Sequence, residues 1–369
     1  MSIQHVVSVS GGKDSLATLL IAMLRFPRSD ILPIFCDTCN EHELTYAYLD
    51  YLEARLGIKI TRLKADFTEQ IANKRKFIGR DQRTRREYDT RPVFEADGIT
   101  PVPKRDGRGQ IVRNKKGQAV QKTVKVGGGR RVRWTNKGKR RALSVLHPSG
   151  NVFLDLCLWK GRFPSRKAQF CTEELKRNIA VEFQMELMDQ GHTVVSWQGV
   201  RRDESHNRRN AKKFERVAPR LYIYRPIVDW TAMQTVQFAT LHEILANPLY
   251  SMGMGRVGCF PCINAGKDEL REMAARFPAH MGRISDWEQR VSMACKRGFS
   301  TFFHKGLGEN GSANPRATFE AENIIQTIQW AKTTRGGKQF SLLNDLKDVS
   351  GCASSYGLCE QPSFYLEAA

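Results

Sequence analysis

Short apolar runs alternate with helix-length segments along the first 63 residues of the chain. Buried strands that alternate with helices through short connections are typical of a parallel sheet with helices on both faces. The pattern therefore predicts a doubly wound α/β fold. The strand-like runs are residues 3–9, 31–35 and 58–63, and the helix-like segments are residues 16–24 and 41–56.

The alternation stops near residue 79 and resumes near residue 151. Residues 79–150 are rich in Gly, Pro, Arg and Lys, with short β-like pieces at 123–126 and 131–134. Strand-like runs return at 193–197 and 221–227, with helices predicted after Cys171 and from about Thr231. We find no internal repeat. We predict an α/β domain from residues 1–78 and 151–245, a basic insertion at 79–150, and a helical, cysteine-bearing C-terminal region at 246–369.

The charge is strongly positive and unevenly spread. The chain carries a net +21, with an isoelectric point near 9.8. Residues 74–141 hold 23 Lys and Arg against 6 Asp and Glu, a net +17. Such an excess favours an acidic partner, nucleic acid first. Trp134 lies within this charge and could stack on an unpaired base. The other interpretation is a solvated, partly disordered arm.

No apolar run approaches the length of a membrane span, and the first residues do not resemble a secretory signal. We therefore expect a cytoplasmic protein without a membrane partner. The chain has nine cysteines, an odd number. In an intracellular protein, a metal site or reactive thiols fit this number better than a disulfide framework.

The segment Ser10-Gly11-Gly12-Lys13-Asp14-Ser15 follows the first predicted strand and precedes a helix. A glycine-rich turn at a helix N-terminus exposes backbone N–H groups and binds phosphate. Walker A spacing fails, because position 7 is Val and Asp14 follows Lys13. The six residues resemble the pyrophosphate loop of the N-type ATP pyrophosphatases, the PP-loop superfamily, and their sulfonucleotide-reductase relatives.

Three further segments resemble the phosphoadenosine phosphosulfate (PAPS) reductase family: residues 37–41, 170–176 and 199–205. Cys39 stands where that family usually has glycine. The resemblance implies a doubly wound parallel sheet of the adenine nucleotide α-hydrolase type. It also implies that Gly199 and Arg201 contact a phosphate or sulfate, and that Glu204 orients this group or a metal. Asp37 ends the second predicted strand, where an acidic residue commonly meets a ribose hydroxyl.

Cys259-Phe260-Pro261-Cys262 can hold one metal from a single loop. In the cluster-bearing reductases, which this layout resembles, a cysteine pair precedes such a motif; here Cys171 stands alone, after Phe170. Two ligand quartets remain open: Cys171, Cys259 and Cys262 with one tail cysteine, or Cys259, Cys262, Cys352 and Cys359. Either quartet could hold a [4Fe–4S] cluster, and the second could equally hold zinc. Cys36, Cys157 and Cys295 fit core positions.

Together these features predict an ATP pyrophosphatase of the PAPS reductase family. It would adenylate a substrate, DNA or tRNA, for sulfur transfer, and it resembles the DNA phosphorothioation sulfur-transfer proteins. Lys13 and Asp14 would act at the pyrophosphate with Mg²⁺, and a cysteine desulfurase or another donor would supply sulfur. One alternative is a reductase acting on PAPS, although the chain lacks a C-terminal Glu-Cys-Gly-Leu-His or Glu-Cys-Gly-Ile-His motif. Another is a nucleotide-sensing nucleic-acid-binding protein without turnover.

Overall fold

The computed structural model describes residues 2–303, 314–333, 354–356 and 358. The chain divides into two compact units, one comprising Met1–Ala72 and Val145–Ala369, and the other Asn73–Ser144. Among the described residues, no helix combines the length and the apolar character that crossing a membrane requires.

Among the described residues, eight strands form two sheets. In chain order they are β1 (Ile3–Ser8), β2 (Ile31–Asp37), β3 (Thr61–Lys64), β4 (Arg86–Pro92), β5 (Thr123–Arg131), β6 (Thr193–Trp197), β7 (Phe214–Ala218) and β8 (Leu221–Tyr224). The larger unit holds a six-stranded sheet in the order β3-β2-β1-β6-β8-β7. Its first five strands are parallel, and β7 pairs antiparallel with β8 at the edge.

Helices surround this sheet and build the C-terminal part. They are α1 (Lys13–Arg25), α2 (Glu43–Leu56), α3 (Thr68–Gly79), α4 (Asn136–Val145), α5 (Val152–Lys160), α6 (Phe170–Thr172), α7 (Asn178–Asp189), α8 (Ala232–Leu241), α9 (Lys267–Arg276), α10 (Pro278–Ala294), α11 (Pro315–Glu322) and α12 (Ile324–Ala331). A π-helical turn, Glu173–Arg177, joins α6 to α7.

Both faces of the large sheet are buried, which confirms the prediction of a doubly wound α/β fold. Val7 and Trp197 belong to a core cluster with residues of α1, α2 and α8. Val6 and Val194 point to the opposite face, where residues of α7 pack. Successive residues of one strand point to opposite faces, so fully apolar strands are the expected sequence for a sheet covered on both sides.

The strand order reverses between β1 and β6. From β1 the chain proceeds outward to β2 and β3, and it later returns on the other side of β1 as β6. The loops that follow β1 and β6 are therefore neighbours at the carboxyl edge of the sheet. In open α/β sheets this reversal creates the crevice where ligands bind.

Several predicted boundaries are displaced by capping. Helix α1 begins at Lys13 rather than at residue 16, because Gly12 is its N-cap. Helix α2 begins at Glu43 rather than at residue 41, because the His42 side chain accepts the N–H of Leu44. Gly57 ends α2 in a left-handed conformation (φ 58°), as its position in the sequence predicted.

The smaller unit is built on the antiparallel pair β4–β5. Between these strands lie two adjacent copies of an eight-residue turn, residues 105–112 and 113–120, which we call the twin basic turns. Each copy follows the eight-position pattern Arg-(Asp/Asn)-X-(Arg/Lys)-Gly-Gln-X-Val, in which X is any residue. Our expectation that the chain contains no internal repeat is therefore wrong, because a repeat this short escapes a search for longer periods.

Trp134 lies in the smaller unit and is only 8% exposed. Its backbone N–H donates to the Asp81 carboxylate at 2.8 Å, and the Arg83 guanidinium donates to both oxygens of the same carboxylate at 2.9 and 3.1 Å. The prediction that Trp134 stacks on an unpaired base is wrong in this structure, because the indole is already covered.

We expect Asp81→Asn to loosen the smaller unit. The amide offers one acceptor oxygen in place of two, so a buried donor loses its partner at a cost of roughly 1–3 kcal/mol. Hydrogen exchange of the Trp134 amide should become faster, whereas Asp89→Asn, on an exposed part of β4, should leave it unchanged. Equal exchange rates in the two variants would refute the role of Asp81.

The same contact predicts a pH dependence. The Arg83 side chain, more than any other partner, holds the pKa of Asp81 below its ordinary value of 3.8, against the effect of burial. A lowered pKa means that the stabilising contribution is present above pH 3.8 and is lost as the pH falls through the folded-state value. The stability difference between the wild-type chain and Asp81→Asn should therefore shrink in strong acid, as measured by hydrogen exchange across a pH series.

Candidate functional site

The glycine loop lies at the carboxyl end of β1 and leads directly into α1. The Ser15 hydroxyl accepts the Ser10 N–H at 3.1 Å and donates to the Gly12 carbonyl at 2.9 Å, which closes the loop on itself. The Lys13 N–H donates to the Tyr250 hydroxyl at 3.0 Å. Two amides of the loop are thus engaged within the protein, so phosphate binding falls to its other amides.

Gly199, in the loop after β6, touches the glycine loop. A Cβ atom at this position would lie 2.8 Å from the Asp14 carbonyl oxygen and 3.0 Å from the Ser15 nitrogen. Only glycine permits this approach of two backbones. Gly11 adopts φ +72°, a left-handed conformation that also favours glycine. The two loops of the strand-order reversal are therefore in direct contact.

Arg201 connects the same two loops through its side chain. Its Nε donates to Asp14 Oδ1 at 2.7 Å, and a second guanidinium nitrogen pairs with Asp203. The residue is 4% exposed. Burial acts to lower the pKa of Arg201, but Asp14 and Asp203 outweigh it and raise the pKa above its ordinary value. Arg201 is therefore a fully charged group already neutralised by two carboxylates.

Glu204 lies in the same loop, but its carboxylate forms an ion pair with Arg208, one helical turn further on. It contributes to the charge felt by Arg201, but among the described residues it forms no hydrogen bond or ion pair with the glycine loop. The sequence analysis grouped Glu204 with Arg201. In the structure Arg201 pairs with Asp14 of the glycine loop, whereas Glu204 pairs with Arg208.

Lys13 is buried, with only 8% exposure. Its Nζ lies 3.7 Å from Asp14 Oδ2. The same ammonium lies 4.6 Å from the ring centroid of Tyr356 and 5.5 Å from that of Tyr250, within the range of cation–π attraction. Two tyrosines that were not among the predicted site residues thus hold the lysine beside the loop.

Asp37 ends β2 at the same edge of the sheet. Its Oδ1 accepts the Tyr46 hydroxyl at 2.7 Å and the Cys39 N–H at 2.8 Å. These two bonds fix the carboxylate and leave its other oxygen for a ligand. Cys39 itself takes φ +55°, which explains why glycine suits this position in the family that the segment resembles.

The segment after Asp37 runs to the cysteine loop. The Phe260 N–H donates to the Asn40 carbonyl at 2.5 Å, and the Asn40 side chain donates to the Pro261 carbonyl at 3.1 Å. Glu41 is 3% exposed and lies 3.8 Å from Cys259 Sγ through its Oε1. Burial raises the pKa of Glu41, whereas Lys176 acts to lower it.

Lys176, on the π-helical turn, stands at the centre of three predicted metal ligands. The Cys259 thiolate raises the pKa of Lys176 above its ordinary value against the effect of burial, and Glu41, Cys262 and Cys171 add to the increase. Burial in turn raises the pKa of the Cys259 thiol to about 12, although Lys176 acts to lower it. Lys176 is half-buried, and all three cysteines contribute to its electrostatic environment.

The cysteine loop is also close to the glycine loop. A Cβ atom on Gly12 would lie 3.5 Å from the Val257 carbonyl oxygen. Two residues of chain span at most about 7 Å, so Cys259 lies near the phosphate-binding turn. The structure thus gathers five of the predicted segments at one edge of the sheet: residues 10–15, 37–41, 171–176, 199–203 and 259–262.

The remaining metal-ligand predictions, Cys352 and Cys359, lie outside the described residues. All seven described cysteines are free thiols. Cys171, Cys259 and Cys262 fit a metal or cluster chemically, because bound thiolates would give the Lys176 ammonium the negative partners that it otherwise finds mainly in Glu41. Their sulfur atoms do not form a compact ligand group as the described residues stand.

One compact group of potential ligands does occur among the described residues: His42, Glu43 and His280. The Nδ1 of His42 accepts the Leu44 N–H at 3.0 Å, so this nitrogen carries the lone pair and Nε2 carries the proton. Burial lowers the pKa of His42 to about 4, with His280 as the next cause. The imidazole is therefore a neutral helix cap, and neither nitrogen offers a metal a free lone pair.

Lys176 and Tyr250 are the functional positions that sequence reasoning missed. Lys176 lies in residues 170–176, one of the segments that resemble the PAPS reductase family, so its position was marked. Nothing in a single sequence indicates that the lysine faces three thiols or that the tyrosine caps a loop 237 residues away.

Comparisons with known proteins identify the family. The sequence model of the phosphoadenosine phosphosulfate reductase domain matches residues 4–95 and 111–265. An uncharacterised protein of Escherichia phage 186 is 40% identical over 365 residues, which is 96% of each chain. An adenosine 5′-phosphosulfate reductase of Chelativorans sp. is 31% identical over 74 residues, 19% of this chain and 30% of that protein.

The chain is also similar, more distantly, to one further relative and to one solved structure. An uncharacterised protein of Methanocaldococcus jannaschii is 24% identical over 279 residues, and the match spans 74% of this chain and 39% of that protein. The crystal structure of PAPS reductase from Candida auris, a phosphate complex, is 13% identical with a TM-score of 0.37, covering 71% of this chain and 83% of that one. By the match of its sequence to the family model over residues 4–95 and 111–265, the chain belongs to the phosphoadenosine phosphosulfate reductase domain family.

Proposed function

We propose that this protein is a PP-loop ATP pyrophosphatase that adenylates an acceptor for sulfur transfer, with a nucleic acid as the acceptor. The observation that carries the proposal is that the glycine loop and the predicted metal-binding cysteines lie at the same edge of the sheet. A phosphate-binding turn, residues 10–15, adjoins a thiol cluster around Lys176 through the segment of residues 37–41.

In the first step, an acceptor oxygen attacks the α-phosphorus of ATP. The bond from that phosphorus to the bridging oxygen of pyrophosphate breaks, and the electron pair leaves with pyrophosphate. The free amides of the glycine loop and the Lys13 ammonium would stabilise the charge of the leaving group. Gly199 lets the second loop close on the first, and Arg201 holds Asp14 in place. In the second step, a sulfur nucleophile attacks the acceptor atom that bears the activated oxygen, and AMP leaves with that oxygen.

Mg²⁺ would share the charge of the phosphates. Asp14 and Asp203 both pair with Arg201, and Glu204 pairs with Arg208. These carboxylates are engaged, so the ion would be held mainly through phosphate oxygens and water, as Mg²⁺ at nucleotide sites commonly is. The chain would orient the nucleotide rather than enclose the ion.

Cys171, Cys259 and Cys262 would hold a [4Fe–4S] cluster with a tail cysteine as the fourth ligand, or Cys259, Cys262, Cys352 and Cys359 would hold a cluster or zinc. A cluster would supply sulfide-ligated iron beside the nucleotide, and zinc would supply a structural link. The Lys176 ammonium would neutralise part of the thiolate charge. Free thiols at every described cysteine are compatible with a reducing cytoplasm, with a cysteine desulfurase or another donor as the sulfur source.

A second candidate is reduction of a sulfonucleotide such as PAPS. It is favoured by the family and by the matching segment of an adenosine 5′-phosphosulfate reductase. Arg201 would then face a sulfate or phosphate of that nucleotide. The absence of a C-terminal Glu-Cys-Gly-Leu-His or Glu-Cys-Gly-Ile-His sequence, which carries the nucleophilic cysteine of such reductases, counts against it.

We expect the wild-type chain to convert ATP to AMP and pyrophosphate when a nucleic-acid acceptor and a sulfur donor are present. Lys13→Met should lower pyrophosphate release about 100-fold, because one charged group at the leaving pyrophosphate is lost. Lys59→Met, at an exposed position, is the matched control. Sulfite release from PAPS with a thiol donor would favour the reductase, and ATP binding without AMP formation would favour a non-catalytic sensor.

We expect Gly199→Ala to weaken ATP binding about tenfold. The added methyl group would overlap the backbone at Asp14, and strain of this kind typically costs 1–3 kcal/mol. Calorimetric titration with ATP measures the effect. Gly282→Ala provides the control, because a Cβ there meets nothing within 4 Å. Equal affinities in the two variants would show that the approach of the loops is not needed for binding.

We expect Cys259→Ser to reduce the iron or zinc content of anaerobically purified protein by at least half, because it removes one of the proposed thiolate ligands. Cys295→Ser should leave the content unchanged. Elemental analysis gives the stoichiometry, and a broad absorbance band near roughly 400 nm would identify thiolate-bound iron. A wild-type chain that binds neither metal would eliminate the cysteine site.

A further inference from the structure

The smaller unit has a charge that the nucleotide chemistry does not use. It holds a net +17, which leaves +4 for the rest of the chain. Within this unit the twin basic turns, residues 105–120, carry five cations and one acid, and every one of these six side chains is exposed. The acid, Asp106, is occupied within its own turn, so the exposed charge of the turns is almost purely positive.

The twin basic turns are alike in structure as well as in sequence. In the first, Asp106 Oδ1 accepts the N–H groups of Arg108 and Gln110, both at 2.9 Å. In the second, Asn114 Oδ1 accepts the corresponding groups of Lys116 and Gln118 at 2.9 and 3.1 Å. Each turn is thus fixed by a side chain that bonds its own backbone.

The first arginine of each copy completes the turn. Arg105 donates to the Gly109 carbonyl at 2.9 Å, and Arg113 donates to the Gly117 carbonyl at 2.7 Å. Both glycines are left-handed, at φ +80° and +77°. A guanidinium has five N–H donors, and this bond uses one, so each arginine is held in place with donors to spare.

Backbone bonds hold the two copies together. The Val120 N–H donates to the Val112 carbonyl at 2.8 Å, the Val112 N–H donates to Lys104 at 2.9 Å, and the Lys104 N–H donates to Val120 at 2.7 Å. This closed ring of three bonds fixes the spacing of the turns. Arg108 and Lys116 therefore occupy equivalent places on one rigid support, with Lys115 beside them.

We propose that the twin basic turns bind the phosphate backbone of duplex DNA. Repeated cations on a fixed frame fit a ligand with regularly repeated negative charges, and Lys and Arg contacts to phosphates provide most of the affinity for nucleic acid. The major groove of B-form DNA admits a two-stranded β-ribbon such as β4–β5, whereas that of A-form RNA is too deep and narrow for side chains to read. Geometry thus favours DNA over duplex RNA.

The proposal deepens the proposed function by naming its acceptor class, but the binding itself requires no turnover. The experiment therefore measures fluorescence anisotropy of the full chain with a 30-base-pair DNA duplex, without ATP, across a salt series. The triple variant Arg108→Ala, Lys115→Ala, Lys116→Ala should weaken binding about tenfold or more. It should reduce the slope of log K against log salt by about 2.7, since each phosphate contact contributes about 0.9.

A triple variant at exposed cations of the larger unit, Lys59→Ala, Lys167→Ala, Arg297→Ala, is the charge-matched control and should bind like the wild-type chain. Asn114→Ala unlocks one turn without changing the charge and should weaken binding several-fold. If the first triple variant loses no more affinity than the control, the turns are not the DNA contact.

Competition distinguishes DNA from other polyanions. Duplex DNA should displace the probe at a lower concentration than duplex RNA or heparin of equal charge, and equal displacement by all three would overturn the assignment. Pyrophosphate release with a nucleic-acid acceptor and a sulfur donor is measured in parallel on the wild-type chain. If DNA binds but no pyrophosphate forms, the proposed function fails and the binding result stays intact.

Discussion

The contact between the loops after β1 and β6 is the constraint on which the site depends. Parallel strands on either side of a strand-order reversal carry neighbouring loops that border the ligand crevice. Here Gly199 allows one backbone to lie against the other at Asp14, and the buried Arg201 side chain ties them by charge. The phosphate-binding turn is therefore shaped by a residue 185 positions away as much as by its own glycines.

The features that could be predicted from the sequence are those that depend on residues close together in the chain. Apolar strands buried on both faces, the glycine loop and Gly57 each leave a signal within a few residues, and the family resemblance placed residues 37 and 199–205 at the same edge. The missed parts depend on contacts between distant segments. Lys176 becomes distinctive only when a π-helical turn brings it to three thiols, and Tyr250 only when its hydroxyl meets the Lys13 amide.

Trp134 and the twin basic turns also show where local sequence patterns mislead. The role of Trp134 was overinterpreted from its sequence neighbours, whereas the repeat in the turns was overlooked. The charged residues beside Trp134 in the sequence predicted a role at the surface, but Trp134 is only 8% exposed and its backbone N–H is bonded to the Asp81 carboxylate. The repeat at residues 105–120 is visible in the sequence once the turns are seen, since only four of eight positions are identical. Asp and Asn act alike there because both offer one oxygen to the same two amides.

Arg201 is already paired with two carboxylates, and Lys13 already lies beside Asp14 and two tyrosine rings. A ligand must therefore make many contacts of its own to be retained in the crevice. A small dianion such as sulfate or free phosphate would have to separate Arg201 from two carboxylates and Lys13 from its aromatic cover, with few contacts to compensate. A nucleotide can offer a phosphate chain to the glycine loop and a ribose to Asp37 at once. On the proposed function, this arrangement would retain a ligand long enough to reach both ends in preference to a small inorganic anion.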